Sequence, residues 1–269
     1  MFLKENIIKE NKTTSLYEAE DTITFQLGEN SYSSKGTYQL HLDRSRLYSN
    51  QIILNRSNFK IDDREVEKKF AKISSLYFSS VFPLILTHHQ GNYHIAEYKE
   101  TAKRIMENDV AMQNKYNGDG LEYIREQFLD KVKNQTGFQK FIEQLPFYQV
   151  LNISAHPKFK KEQVGFKWNV AGLGVIEGTG EFRLNAEENK AVFILMQTDT
   201  AHIMQLIENY TVENEMVLTF NESEIPEISF KMTTVYDHSY SNIQNSRAEL
   251  LISIGEKFKY TQNFYLTLD

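Results

Sequence analysis

DDREVEKKFAKISSLYFSSVFP, residues 62–83, is the stretch whose reading decides the fold. Asp62 and Glu65 have the spacing of a capping box, and Val66, Phe70, Ile73, Tyr77 and Val81 then recur at intervals of three and four. That pattern predicts an amphipathic helix closed by Pro83. On both sides of it the period is different, so the stretch opens a helical island inside a chain otherwise built of strands.

Upstream, apolar residues alternate with polar ones: Leu16, Ile23, Phe25 and Leu27, then Tyr38, Leu40 and Leu42, then Leu47, Ile52 and Leu54. Period two predicts three or four half-buried antiparallel strands, with turns at Gly28-Glu29-Asn30 and Ser49-Asn50. Downstream, Leu84 to Leu86 and Tyr93 to Ile95 flank His89-Gln90-Gly91-Asn92, a hairpin signal. A helix from Glu97 to Tyr116 follows, with Tyr98, Ala102, Ile105, Met106 and Met112 on its apolar side. Asn117-Gly118 stops it, Asp119 and Glu122 cap the next, and Gly137 to Leu145 forms a short last helix before Pro146.

Beyond Pro146 strand patterns return at 148–154, 164–170, 174–184, 191–197, 215–220, 228–236, 247–254 and 258–268. Residues 200–210 fit either a helix or a strand. The expected fold is α+β: a large curved antiparallel sheet or open barrel with an inserted helical cap at about 61–145. The expected organisation is 1–145 as strands plus cap and 146–269 as a β-rich part continuous with the first sheet.

Composition removes whole classes of chemistry. With no cysteine there is no disulfide, thiolate nucleophile or sulfur-held metal. No window approaches 18 consecutive apolar residues, which excludes a helical membrane span. The first ten residues place charges in every apolar cluster, so a cytoplasmic location is expected. Residues 1–145 carry 20 basic and 20 acidic side chains and 146–269 carry 10 and 16, so the net charge of -6 resides in the second part. An acidic surface disfavours nucleic acid. Glu213, Glu215, Glu222, Glu224 and Glu227 cluster around turns and would steer a basic protein partner, or simply form a solvated rim.

Four constellations could carry chemistry. His88, His89 and His94 have imidazoles for a metal or a general base, but the hairpin register sends His88 to one face and His89 and His94 to the other. Gly172, Gly174, Gly178 and Gly180 resemble a phosphate loop only in composition, because a strand pattern rather than a helix follows; bends in a twisted hairpin explain them. Asp199 with His202 and Asp237 with His238 each lack a third member. Phe and Tyr, at 18 and 15 copies, could line a ligand recess under the helices but equally fill a core. Residues 1–12, with Phe2, Leu3, Ile7 and Ile8 on one helical face, could dock on a partner. No cofactor is implied.

Extended strands, then Ala71 to Leu84, then a hairpin and helical cap resemble cytosolic proteins of unassigned function from Bacteroidota-type genomes, over about the first 150 residues. The resemblance implies a non-catalytic accessory protein and leaves every site unassigned. The functional expectation is a protein-binding module, such as an immunity protein, effector chaperone or adaptor, using the acidic surface. The alternatives are a carrier of a hydrophobic ligand between sheet and cap, and a metal-dependent enzyme at the histidine hairpin.

Overall fold

The computed structural model describes residues 12–45, 50–89, 92–155, 163–214, 216, 220–221, 223–237 and 242–269. Among them are twelve strands and six helices: β1 (Lys12–Leu27), β2 (Asn30–Ser45), β3 (Gln51–Ile61), β4 (Arg64–Glu65), α1 (Lys69–Ser79), β5 (Leu84–His89), β6 (Asn92–Ile95), α2 (Tyr98–Lys115), α3 (Asp119–Val132), α4 (Gln135–Glu143), α5 (Pro146–Ser154), β7 (Val164–Val170), β8 (Gly174–Asn185), β9 (Lys190–Thr198), α6 (Thr200–Glu213), β10 (Glu227–Tyr236), β11 (Ile243–Ile254) and β12 (Phe258–Leu268). The strands form one antiparallel sheet in the order β6-β5-β3-β2-β1-β12-β11-β10-β9-β8-β7, with β4 beside β3. Its two ends do not meet, so the α+β sheet is open rather than a closed barrel.

The chain divides into two compact units. One contains 1–18, 37–142 and Asp269, and the other contains 19–36 and 143–268, so the long strands β1 and β2 contribute to both.

In the first unit the predicted cap at Asp62 is replaced by a turn. Asp62 and Asp63 both have positive φ, 50° and 61°, and Ile61 pairs with Arg64 across them. Two consecutive left-handed residues make a tight hairpin turn, and Asp tolerates that conformation because its short side chain can hydrogen-bond locally. The helix therefore starts at Lys69, with Ile73 and Tyr77 buried. Helix α2 buries Ile105 and Met112 as expected, but Met106 is 54% exposed. Asp119 lies in the first turn of α3 and Gly118 occupies the N-cap, with no side-chain cap bond. The Asp119 charge acts there on the helix dipole.

In the second unit the expected strand at 148–154 is helix α5. Apolar residues at nearly every position suit a buried strand and a buried helix alike, and Pro146 at the first turn favours the helix. The 200–210 ambiguity also resolves as helix, capped by Asp199, whose carboxylate accepts from the His202 backbone N–H at 3.0 Å. The strand expected at 215–220 falls mostly outside the described residues, as does the segment 1–11. Alternation is strict in β10, β11 and β12, one face buried and the other not. Phe166, Trp168, Phe193 and Phe230 form the aromatic centre, with Phe166 and Phe230 ring centroids 4.4 Å apart and Trp168 and Phe230 4.9 Å apart.

The glycines of β8 serve this packing. A β-bulge falls between Thr179 and Gly180, and a Cβ on Gly180 would sit 2.3 Å from Phe193 Cζ. A Cβ on Gly178 would sit 2.3 Å from the Gln197 carbonyl oxygen. These are close approaches of strand to strand, as a bent hairpin requires.

Candidate functional residues

The histidine hairpin has the register its sequence implies. His88 faces Tyr93, with ring centroids 5.0 Å apart, while His94 lies opposite Thr87 and His89 opposite Asn92. Strand alternation puts His88 on one face and the other two on the reverse. Among the described residues no group of three or more His, Asp or Glu side chains could hold a metal.

The five glutamates divide. Glu215 and Glu222 lie outside the described residues. Glu224 is engaged internally: Lys257 Nζ lies 2.8 Å from one carboxylate oxygen, and the Asn221 N–H donates to the other at 2.7 Å. These contacts hold its carboxyl below the ordinary glutamate range. Glu213 ends α6 and Glu227 begins β10. Beside them stand two exposed apolar side chains, Val212 at 77% and Ile225 at 67%.

Of the acid/imidazole neighbours, Asp199 is a helix cap. Asp237 accepts from Asn242 Nδ2 at 2.8 Å, and His238 lies outside the described residues.

Sequence reasoning missed three polar groups withdrawn wholly or partly from solvent, and each is handled differently. In the first unit Asp109 of α2 is 1% exposed. It accepts from the Tyr77 hydroxyl at 2.7 Å, from Arg125 Nε at 2.9 Å and from Gln113 Nε2 at 2.8 Å, which ties α1, α2 and α3 together. Burial and the Asp109 charge both push the Tyr77 hydroxyl up, while Asp109 holds the Arg125 guanidinium above its usual value.

In the second unit Asp21 of β1 faces no cation among the described residues. Gln262 Nε2 donates to both its oxygens, at 2.8 and 3.0 Å. The Gln262 carbonyl oxygen in turn accepts from Trp168 Nε1 at 2.8 Å and from the Tyr260 hydroxyl at 3.0 Å. Burial lifts the Asp21 carboxyl to about 6, against a smaller opposing effect of the Gln262 bonds. Burial likewise raises the Tyr260 hydroxyl.

The third group is Arg56 of β3, in the first unit. Ile52 and Leu54 are buried on the same face, and Arg56 stands where the next apolar residue of that row would be. Its guanidinium carbon lies 4.1 Å from the Phe59 ring centroid, 4.7 Å from Phe78 and 4.8 Å from Tyr38. Asn58, at φ 54°, breaks the alternation between positions 56 and 59, which is how Phe59 comes to share a face with Arg56. Its Nε is shut off from solvent and has no hydrogen-bond partner among the described residues. Burial lowers the guanidinium to about 10, the Tyr38 hydroxyl acting weakly in the opposite sense.

No protein-family model matches this chain, and no curated protein matches it. A solved structure titled lipid-protein interactions in lipovitellin is similar with a TM-score of 0.47 at 10% identity, over 96% of this chain and 25% of that one. The chain thus spans about a quarter of the length of that structure's chain, and at this level of likeness nothing about activity or ligand passes between them.

Proposed function

We propose that the chain is a non-catalytic protein-binding module, of the type to which immunity proteins, effector chaperones and adaptors belong, and that it recognises a basic partner through the 212–227 region. The observation that carries this is the pairing of apolar and acidic side chains there. Val212 and Ile225 are the two most exposed large apolar residues described, and they adjoin Glu213 and Glu224. Exposed apolar side chains with a charged surround are the composition of a small interface centre and rim. Glu213 and Glu227 supply the attraction, since Glu224 is held by Lys257.

The test is a pull-down from native lysate with the wild-type chain and with a Val212→Ser/Ile225→Ser variant. A stoichiometric basic protein recovered by the first and lost by the second is expected. Recovery of none, or equal recovery by both, removes the proposal.

The alternative of a small-ligand carrier draws on a separate observation, the aromatic recess around Arg56.

A further inference from the structure

Three arginines of the first unit contact its helices, and two of them have oxygen acceptors. Arg104 donates to the backbone carbonyls of Ser80, Val81 and Pro83, each at 2.9 Å, just past the C-terminus of α1 where carbonyls lack helical partners. Arg125 is paired with Asp109. Arg56 differs: its Nε is shut off from solvent with no hydrogen-bond partner among the described residues.

That isolation is costly for a structural residue. A guanidinium carries five N–H donors in a planar fork, and removing one from water without an acceptor forfeits its hydration. The three rings return part of this through attraction to their faces, but they offer no acceptor to the N–H groups in the guanidinium plane. The titratable neighbour that acts on Arg56 is Tyr38, and no carboxylate of the described residues does so in place of the missing partner. Tyr38, Phe59, Phe78 and Arg56 itself are all half-buried, so part of each side chain remains in contact with solvent. Nε is closed off from solvent and unpartnered among the described residues, and because the residue is only half-buried, a ligand would approach the fork from its Nη edge.

We propose that Arg56, walled by Tyr38, Phe59 and Phe78, is a binding site for an organic monoanion: a carboxylate carried on an apolar body. The fork accepts the carboxylate through its Nη edge in a charge-assisted bond. The aromatic walls take the apolar portion out of water. One cation with no second beside it matches a single negative charge, and an inorganic dianion would keep its second charge and most of its surface unmatched. The site stands independently of the 212–227 surface.

Isothermal titration with decanoate, decanol and inorganic phosphate tests this on the intact chain. Decanoate is expected to bind at one site and decanol at least tenfold more weakly. Arg56→Met should weaken decanoate by about 10- to 100-fold while leaving decanol unchanged. Decanol binding as well as decanoate, phosphate binding in preference to both, no decanoate binding, or an unaffected Arg56→Met variant would each overturn the proposal. A second readout needs no variant. The Arg56 Nε–H resonance should move on saturation with decanoate and stay put with decanol, and an unmoved signal under decanoate overturns the assignment.

Discussion

Arg125 and Arg56 belong to the same unit, and both leave the surface to meet groups beneath it, yet they have opposite roles. Arg125 meets a carboxylate that already receives a tyrosine hydroxyl and a glutamine amide, and the resulting cluster joins three helices. The Arg56 guanidinium lies against three aromatic rings, and its Nε has no acceptor among the described residues. A buried charge with all its bonds made belongs to the architecture, and its removal strands its partners. A charge left without an acceptor contributes little to holding the fold and is free to recognise something else. The Asp21 site of the second unit is an intermediate case, a carboxylate whose described donor is a neutral amide.

The largest expected effect comes from breaking the satisfied case. Asp109→Ala leaves the Tyr77 hydroxyl and Arg125 without their acceptor in a site that is 1% exposed. A loss of about 3–5 kcal/mol is expected. Native-state hydrogen exchange of the α1 and α3 amides measures it, and unchanged protection would show that the cluster is not a structural tie.

Asp21 comes next, and its sign is opposite. Burial pushes the folded carboxyl up to about 6 from an ordinary aspartate value of 3.8, so between those values the folded chain binds the extra proton. Stability therefore falls as pH rises from about 4 to above 6, and the shift is equivalent to about 3 kcal/mol of lost stability once the group is ionised. Asp21→Asn should stabilise the second unit at pH 8 by about 1–3 kcal/mol and flatten that slope. Urea unfolding followed by Trp168, the one tryptophan, measures both, because its indole shares the Gln262 amide with Asp21. A variant less stable than wild type at pH 8 would mean that the ionised form is favoured by the fold.

The smallest effect is reserved for the unsatisfied arginine. Arg56→Met keeps the apolar stem and loses a charge whose Nε has no acceptor among the described residues, so stability should stay within about 1 kcal/mol of wild type. A loss approaching that of Asp109→Ala would show that the aromatic recess depends on the cation, and the contrast between the two arginines would collapse.

Particular elements show how far the sequence could be read. Strands β10, β11 and β12 alternate so regularly that local pattern alone places them within a few residues. Helices α2 and α3 follow their apolar spacing just as directly. The reading failed where one local signal fits two conformations. Asp62 and Asp63 can cap a helix or turn a hairpin, and pairing of Ile61 with Arg64 decides for the turn. Residues 148–154 are buried at every position but Asn152, so burial follows neither period and the apolar pattern could not separate helix from strand. The histidine hairpin was legible because the two flanking strand patterns fix which positions stand opposite one another. Arg56, Asp109 and Asp21 were not singled out, since an isolated charge in a strand or helix has no local signature.

By itself, then, the sequence determined the α+β class, the helical island and the absence of thiol chemistry, because each depends on composition or on spacing within one element. Tertiary structure alone decided which charges are satisfied. Asp21 meets Gln262 across 241 residues, Tyr77 meets Asp109 across 32, and Arg56 meets Phe78 from a different element while its Nε has no acceptor among the described residues. Burial and hydrogen bonding are properties of neighbours in space, and no periodicity along the chain encodes who those neighbours are.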